Sequence, residues 1–252
     1  MTDRLHDLSL AALYVAASGA LDDEAVVAQR LYRFGSVPRG PRLELDFGPG
    51  DDPMAVLGLT AGGCVRRLLD GVYEPSTLPG WYSFARQPVT GPLPAVCKLY
   101  ISPRPQAMAD AFPRVAATLA HAGVRSFKVG RGLEGLLRCD KIVAYFDDRA
   151  HLDVVARALR QRLRGCVPQG VPFTADAGGD GLLSWGIDPP AAPVAASWRS
   201  WLTRRLARHL VGAPEVLPEH RVARVLAAVR REAIDPDMWL PGPGAFEAQE
   251  AS

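Results

Sequence analysis

One stretch of the sequence limits the possible folds more than any other. Between residues 96 and 187, three short alternating apolar runs are interleaved with two long helical periods. VCKLYI (96–101) alternates and predicts a strand. Pro103 to Ala122 then repeats Met108, Phe112, Val115 and Leu119 at helical spacing. VRSFKV (124–129) and CDKIVAYF (139–146) predict a second and a third strand. Arg149 to Arg164 predicts a helix with Leu152, Val155, Leu159 and Leu163 on its inner face. A full helix between the first two strands predicts that they run parallel. The expected class is therefore α+β, a mixed sheet with a β-α-β-β-α core.

The flanks read as helical. In residues 1–72, Leu5, Leu8, Ala12 and Val15 share one helical face, Val26, Ala28, Leu31 and Phe34 share another, and a third helix is expected over Met54–Leu69. Residues 73–95 are rich in Gly and Pro around Trp81, Tyr82 and Phe84, and read as a long connection with room for one strand. Residues 73–211 form the α/β core of the same domain. Arginine-rich helices are expected at Ser197–His209 and Glu219–Glu232, with 212–234 as the C-terminal helical part and 235–252 as a flexible tail. TAGGCVRR has neither the lysine nor the preceding strand of a phosphate-binding loop.

With 48% hydrophobic and 22% charged residues, wholesale disorder is excluded, and a formal charge of +2 gives no sign of a nucleic-acid partner. The C-terminal arginines are interspersed with glutamates and lack interleaved aromatics beyond Trp198 and Trp201, which also argues against nucleic acid. No run approaches the roughly 18 to 20 apolar residues of a membrane span. The N-terminus has no basic n-region, and Cys64, Cys97, Cys139 and Cys166 show neither CxxC nor zinc-ligand spacing. A cytoplasmic protein with reduced thiols, no metal and no membrane partner is expected.

The lysines carry the functional signal. Only Lys98, Lys128 and Lys141 are present, against 26 arginines, and each expected strand has one of them among apolar neighbours. With a period of two, Lys98 and Tyr100 oppose Cys97, Leu99 and Ile101, and Lys128 opposes Phe127 and Val129. Either the lysines point to solvent from an open face, or they gather at a cleft. For Lys141, beside Asp140, a solvated or edge position is expected. Arg104, Arg131 and Arg138 fall at the strand ends. Crowding by cations and burial both lower a lysine's proton affinity, which makes a general base near neutral pH. Arginine forks beside it grip phosphate. A neutral lysine, a proton donor and an anion pocket suit β-elimination of phosphate from phosphoserine or phosphothreonine, which needs no cofactor. His6, His121, His151, His209 and His220 read as surface or capping residues, His121 alone ending near the strands. Ser102 and Ser126 lack a nucleophile-elbow context.

The run VCKLYISPRPQAMADAFPRVAATLAHAGVRSFKV followed by RCDKIVAYFDD resembles the phosphothreonine lyase family. That family comprises secreted effectors of the OspF and SpvC kind and the lyase domains of class III and IV lanthipeptide synthetases. The chain also resembles HopA-type effectors, whose relatives serve as stand-alone lyases in lanthipeptide and thioamitide pathways. VPFTADAGGDGLLSWGIDPP and SWRSWLTRRLARHL extend the likeness to roughly residues 94–211. The resemblance implies that Lys128 is the base, Lys98 an activating or phosphate-contacting cation, and Arg138, joined by Arg131, the phosphate clamp. The family's acid is a histidine, and its position here is Tyr100. The expected partner is a phosphorylated precursor peptide with its leader, made by a separate Ser/Thr kinase and passed on to a cyclase. Because of Tyr100, a non-catalytic peptide-binding subunit and a thioether-forming cyclase stay open beside the lyase.

Overall fold

A computed structural model describes residues 4–47, 53–86, 97–190, 196–213 and 217–246. The strands are β1 (Glu74–Leu78), β2 (Trp81–Ala85), β3 (Cys97–Ile101), β4 (Ser126–Gly130), β5 (Ile142–Phe146), β6 (Ala175–Asp176), β7 (Leu183–Ile187), β8 (Ile234–Asp235) and β9 (Leu240–Pro241). The helices are α1 (Arg4–Ala17), α2 (Glu24–Arg33), α3 (Pro41–Phe47), α4 (Cys64–Leu69), α5 (Met108–His121), α6 (Gly132–Leu137), α7 (Arg149–Arg162), α8 (Trp198–Val211) and α9 (Pro218–Arg231). The fold is α+β, as expected.

The seven-stranded sheet has the order β1-β2-β4-β5-β3-β7-β6, and every neighbouring pair is antiparallel. The sheet is therefore not mixed. β3 and β4 do run the same way, but β5 inserts between them and pairs antiparallel with both. The expected parallel pairing is thus replaced by two antiparallel ones, with α6 as the short return from β4 to β5. Residues 73–86 supply two strands rather than one. The β1–β2 hairpin turns through Pro79 and Gly80, and Gly80 has φ +77°, a left-handed conformation that glycine adopts without strain.

Strand alternation sends Leu99, Ile101, Phe127, Val129, Ile142, Ala144 and Phe146 to one face, where they pack with Met108, Phe112 and Val115 of α5 and Leu152, Val155 and Leu159 of α7. A second core joins α1, α2, α8 and α9 around Leu13, Leu31, Trp198, Leu202, Leu206 and Val225. Residues 235–246, expected as tail, belong to this second core. Trp239 is buried and meets Phe173 edge-on, and Phe246 packs against Trp198 and Trp201. Those two aromatics outweigh the local lack of periodicity. The rest of that expected tail, 247–252, lies outside the described residues.

Two glycine contacts bring the elements close enough to build a site. A Cβ on Gly135 of α6 would lie 2.6 Å from the Gly130 carbonyl carbon at the end of β4. A Cβ on Gly186 of β7 would lie 2.8 Å from Trp198 Cδ1, so α8 can rest directly on the sheet. Gly135→Ala must push α6 off β4, and overpacking of this kind costs about 1–3 kcal/mol. Thermal denaturation of G135A should show a Tm several degrees below the wild type; an unchanged Tm would mean that the α6 turn yields freely.

Candidate active site

The face opposite the α5/α7 layer carries the polar side chains. Across β4, β5 and β3, Lys128, Val143 and Tyr100 stand in one cross-strand row, and Tyr145 and Lys98 in the next. Neighbouring strands lie about 4.8 Å apart, so Lys128 and Tyr100 flank Val143 with backbones roughly 10 Å from each other. Helices α2 and α8 of the second core roof the end of this face near β5. The sheet supplies the lysines and the roof supplies Tyr32 and Arg199.

Lys98 is buried and pairs with Asp188, just past β7, while its Nζ lies 5.3 Å from the Tyr145 ring centroid. Lys128 is half-buried, with Nζ 4.0 Å from the Trp81 ring centroid and 5.8 Å from that of Tyr145. Burial above all, and then the Lys98 charge, lower the Lys128 pKa to about 8, with Asp140 pulling weakly the other way.

Arg138 ends α6 and points its fork at Asp140, through Nε at 2.7 Å and a terminal nitrogen at 3.0 Å. The same nitrogen donates to the Tyr32 hydroxyl at 3.2 Å, and the guanidinium carbon lies 4.6 Å from the Trp81 centroid. Tyr32 donates to Asp140 at 2.9 Å, and the buried Arg199 donates to it at 3.0 Å. Arg199 is held further by the carbonyls of Pro172 and Tyr32 at 3.1 and 2.7 Å. Burial works to raise the Asp140 pKa, but Arg199, Arg138 and the Tyr32 hydroxyl overcome it and hold the carboxyl well below the usual range. Burial and the Asp140 carboxylate raise the Tyr32 phenol to about 12.

Beside this cluster opens a cavity of about 530 Å³, lined by Tyr32, Arg33, Arg39, Arg131, Arg138 and Asp140 among others. Arg138 and Arg131 thus face one space, and Arg33 and Arg39 join them, two arginines that carried no signal as site residues. Arg131 is exposed and its guanidinium also lies 5.8 Å from the Tyr82 ring centroid. Lys128 and Lys98 do not line this cavity. Trp81 links the two groups, since its indole meets one cation from each.

Tyr100 is 3% exposed among Cys139, Val143 and Val171. Its hydroxyl has no hydrogen-bond partner among the described residues, and burial raises its pKa well above the ordinary value. The structure thus places it in the Lys128 row but sealed. No histidine among the described residues replaces it. His121 is exposed and lines a separate groove with Arg86 and Arg162, and His151 bonds the Ala122 carbonyl at 2.9 Å.

Lys141 departs from expectation. Instead of a solvated position it has 0% exposure, and its Nζ donates to the Pro103 carbonyl at 2.8 Å and to Gln169 Oε1 at 2.5 Å. The loop through Gln169 crosses over it, and Gln169 in turn donates to the carbonyls of Gly35 and Leu137. Burial lowers its pKa to about 7, against the pull of Cys139 and Asp140. It ties the loop to the sheet and lies apart from the cavity.

All four cysteines are free, Cys97 and Cys139 buried, Cys166 half-buried and Cys64 exposed. No metal-binding cluster and no helix long and apolar enough to cross a membrane occur among the described residues.

No protein-family model matches the chain, and no curated protein matches it either. Among solved structures it is similar to the effector protein from Pseudomonas syringae pv. tomato strain DC3000, with TM-score 0.58 and 11% identity over 94% of this chain and 98% of that one. It is also similar to the effector protein from Pseudomonas syringae pv. syringae strain 61, with TM-score 0.51 and 15% identity over 94% and 98%. The phosphothreonine lyase SpvC, an effector protein from Salmonella, aligns at TM-score 0.39 and 13% identity over 84% of this chain and 100% of that one. The first two likenesses extend well beyond the segment that carries the sequence motifs: over nearly its whole length, this chain has the fold of the Pseudomonas syringae effector proteins.

Proposed function

We propose that the protein eliminates phosphate from phosphoserine or phosphothreonine in a ribosomally synthesised precursor peptide, giving dehydroalanine or dehydrobutyrine. The observation that carries this reading is a lysine with lowered proton affinity, Lys128, linked through one indole to an arginine on the wall of an arginine-lined cavity. The resemblance to phosphothreonine lyases in VCKLYI, SFKV and RCDK supports it.

In this scheme Lys128 takes the Cα proton and the electron pair forms the Cα–Cβ double bond. The Cβ–O bond breaks and phosphate leaves. Arg138 and Arg131 stabilise the departing charge, and Lys98, held by Asp188, adds a fixed positive field. Tyr100 stands at the donor position of this scheme, but its hydroxyl is sealed, and it can return a proton to the leaving oxygen only once substrate binding uncovers it. Asp140 fixes the Arg138 fork, leaving one terminal nitrogen uncommitted to Asp140 or Tyr32. A separate kinase supplies the phosphate and a cyclase consumes the alkene.

The sealed Tyr100 hydroxyl favours a second reading, in which the same cavity holds a phosphorylated peptide without turnover. The two separate on intact-mass spectrometry of a phosphothreonine peptide incubated with the protein. Loss of phosphoric acid is the expected result. Binding with unchanged mass selects the peptide-holding subunit, and consumption of thiols from a dehydrated, cysteine-containing peptide selects the cyclase.

A further inference from the structure

The two cationic groups meet at a residue from a third strand. Trp81 opens β2, whose register sets Trp81 opposite Gly130 and Ser83 opposite Lys128. Its indole lies 4.0 Å from Lys128 Nζ and 4.6 Å from the Arg138 guanidinium carbon, both well inside the roughly 6 Å reach of a cation–π contact. Two like charges on one ring repel each other, and an arrangement that holds both has to be fixed by its surroundings. Here the β2–β4 ladder fixes Trp81 and the Asp140 carboxylate fixes Arg138.

We propose that Trp81 is a positioning residue that holds Lys128 and Arg138 in one array, shielding the lysine from water while setting the reach of the arginine. The inference deepens the proposed elimination and rests on the same cavity, but it can be read without turnover. The charged and titratable groups around Lys128 are Lys98 from β3, Tyr145 from β5, Arg138 and Asp140 from the α6–β5 turn, and Asp188 after β7. None of them is removed by changing Trp81, and of these groups only Arg138 shares its ring, so its displacement is read separately through phosphate affinity. A change in Lys128 then reports the loss of the indole.

The chain's lysine count makes the measurement direct. With only three lysines, protein labelled at lysine Cε gives three side-chain signals in an NMR titration, and the signal lost in K128A is that of Lys128. In Trp81→Ala the Lys128 midpoint should rise, because water reaching the ammonium group outweighs the lost cation–π attraction that had favoured its charged form. Affinity for inorganic phosphate should fall about tenfold as Arg138 loses its platform. Trp81→Phe, which keeps a ring beside both cations, should stay within about half a unit and about threefold of the wild type. Should W81A fail to fold, Trp81→Leu against W81F carries the same comparison. A midpoint that stays or falls, or a phosphate affinity that does not change, overturns the proposal. A W81A midpoint that shifts as expected, beside a wild type that eliminates nothing, overturns the lyase reading and leaves this one standing.

Discussion

Lys128→Ala should lower the elimination rate by about two to four orders of magnitude, the scale of a lost general base, with the fold unchanged. The lysine is half-buried on a strand whose opposite face makes the core, so removing its side chain creates no cavity there. The pH dependence gives a sharper signature. The base works when neutral, so kcat/KM should rise with pH through about 8 and level off above it. At pH 7 roughly one Lys128 in ten is neutral, whereas at the ordinary value near 10.5 roughly one in three thousand would be. Lys98→Met removes the neighbouring cation and should move the midpoint upward. A K128A enzyme with wild-type turnover, or a profile flat between about pH 6 and 9, would remove Lys128 from the role of base.

The largest stability effect is expected at Asp140. Its carboxylate accepts from Arg138, Arg199 and Tyr32, and Arg199 is 1% exposed. Asp140→Ala leaves that guanidinium charged and buried without its counter-ion, a defect worth about 3–5 kcal/mol. For a chain of this size, Tm should drop by about 10 °C. The acid side of the stability curve should change as well. A carboxyl whose folded pKa is depressed contributes stability above its unfolded value of about 3.9 and loses it as pH falls. The wild type should therefore lose stability steeply below about pH 4, and Asp140→Asn should show a shallower slope there. Equal acid slopes for wild type and D140N, measured by denaturant titration, would show that the carboxylate is not held as the structure places it.

What could be read from the sequence followed periodicity. Lys98 and Lys128 each sit between apolar neighbours, Cys97 and Leu99 or Phe127 and Val129, so their strands and the sidedness of both lysines could be read, and α5 and α7 lie where their apolar repeats fall. The pairing could not be read, because nothing local says that β5 inserts between β3 and β4. β1 was hidden in EPSTL, an exposed edge strand with no apolar face to alternate. Lys141 misled because its burial comes from a loop almost thirty residues away. Of the missed site residues, Arg199 did leave a signal. It falls in phase with Leu202, Leu206 and Leu210, and an arginine in the buried stripe of a helix requires a counter-ion. Tyr32 and Asp188 left none, since only tertiary contact brings them to the sheet.

The junction at Asp140 makes the site conditional on completion of the chain. Its partners come from a helix more than a hundred residues earlier and another nearly sixty residues later. A growing chain that has reached the end of β7 already has both lysines and Arg138, yet the carboxylate still waits for Arg199. Until α8 docks, the Asp140 carboxylate that anchors the Arg138 fork lacks one of its two arginines and α2 lacks its main packing partner. Assembly of the arginine-lined cavity is thus deferred to the last stages of folding, and a truncated or half-made product should have the lysines without the fixed arginine fork.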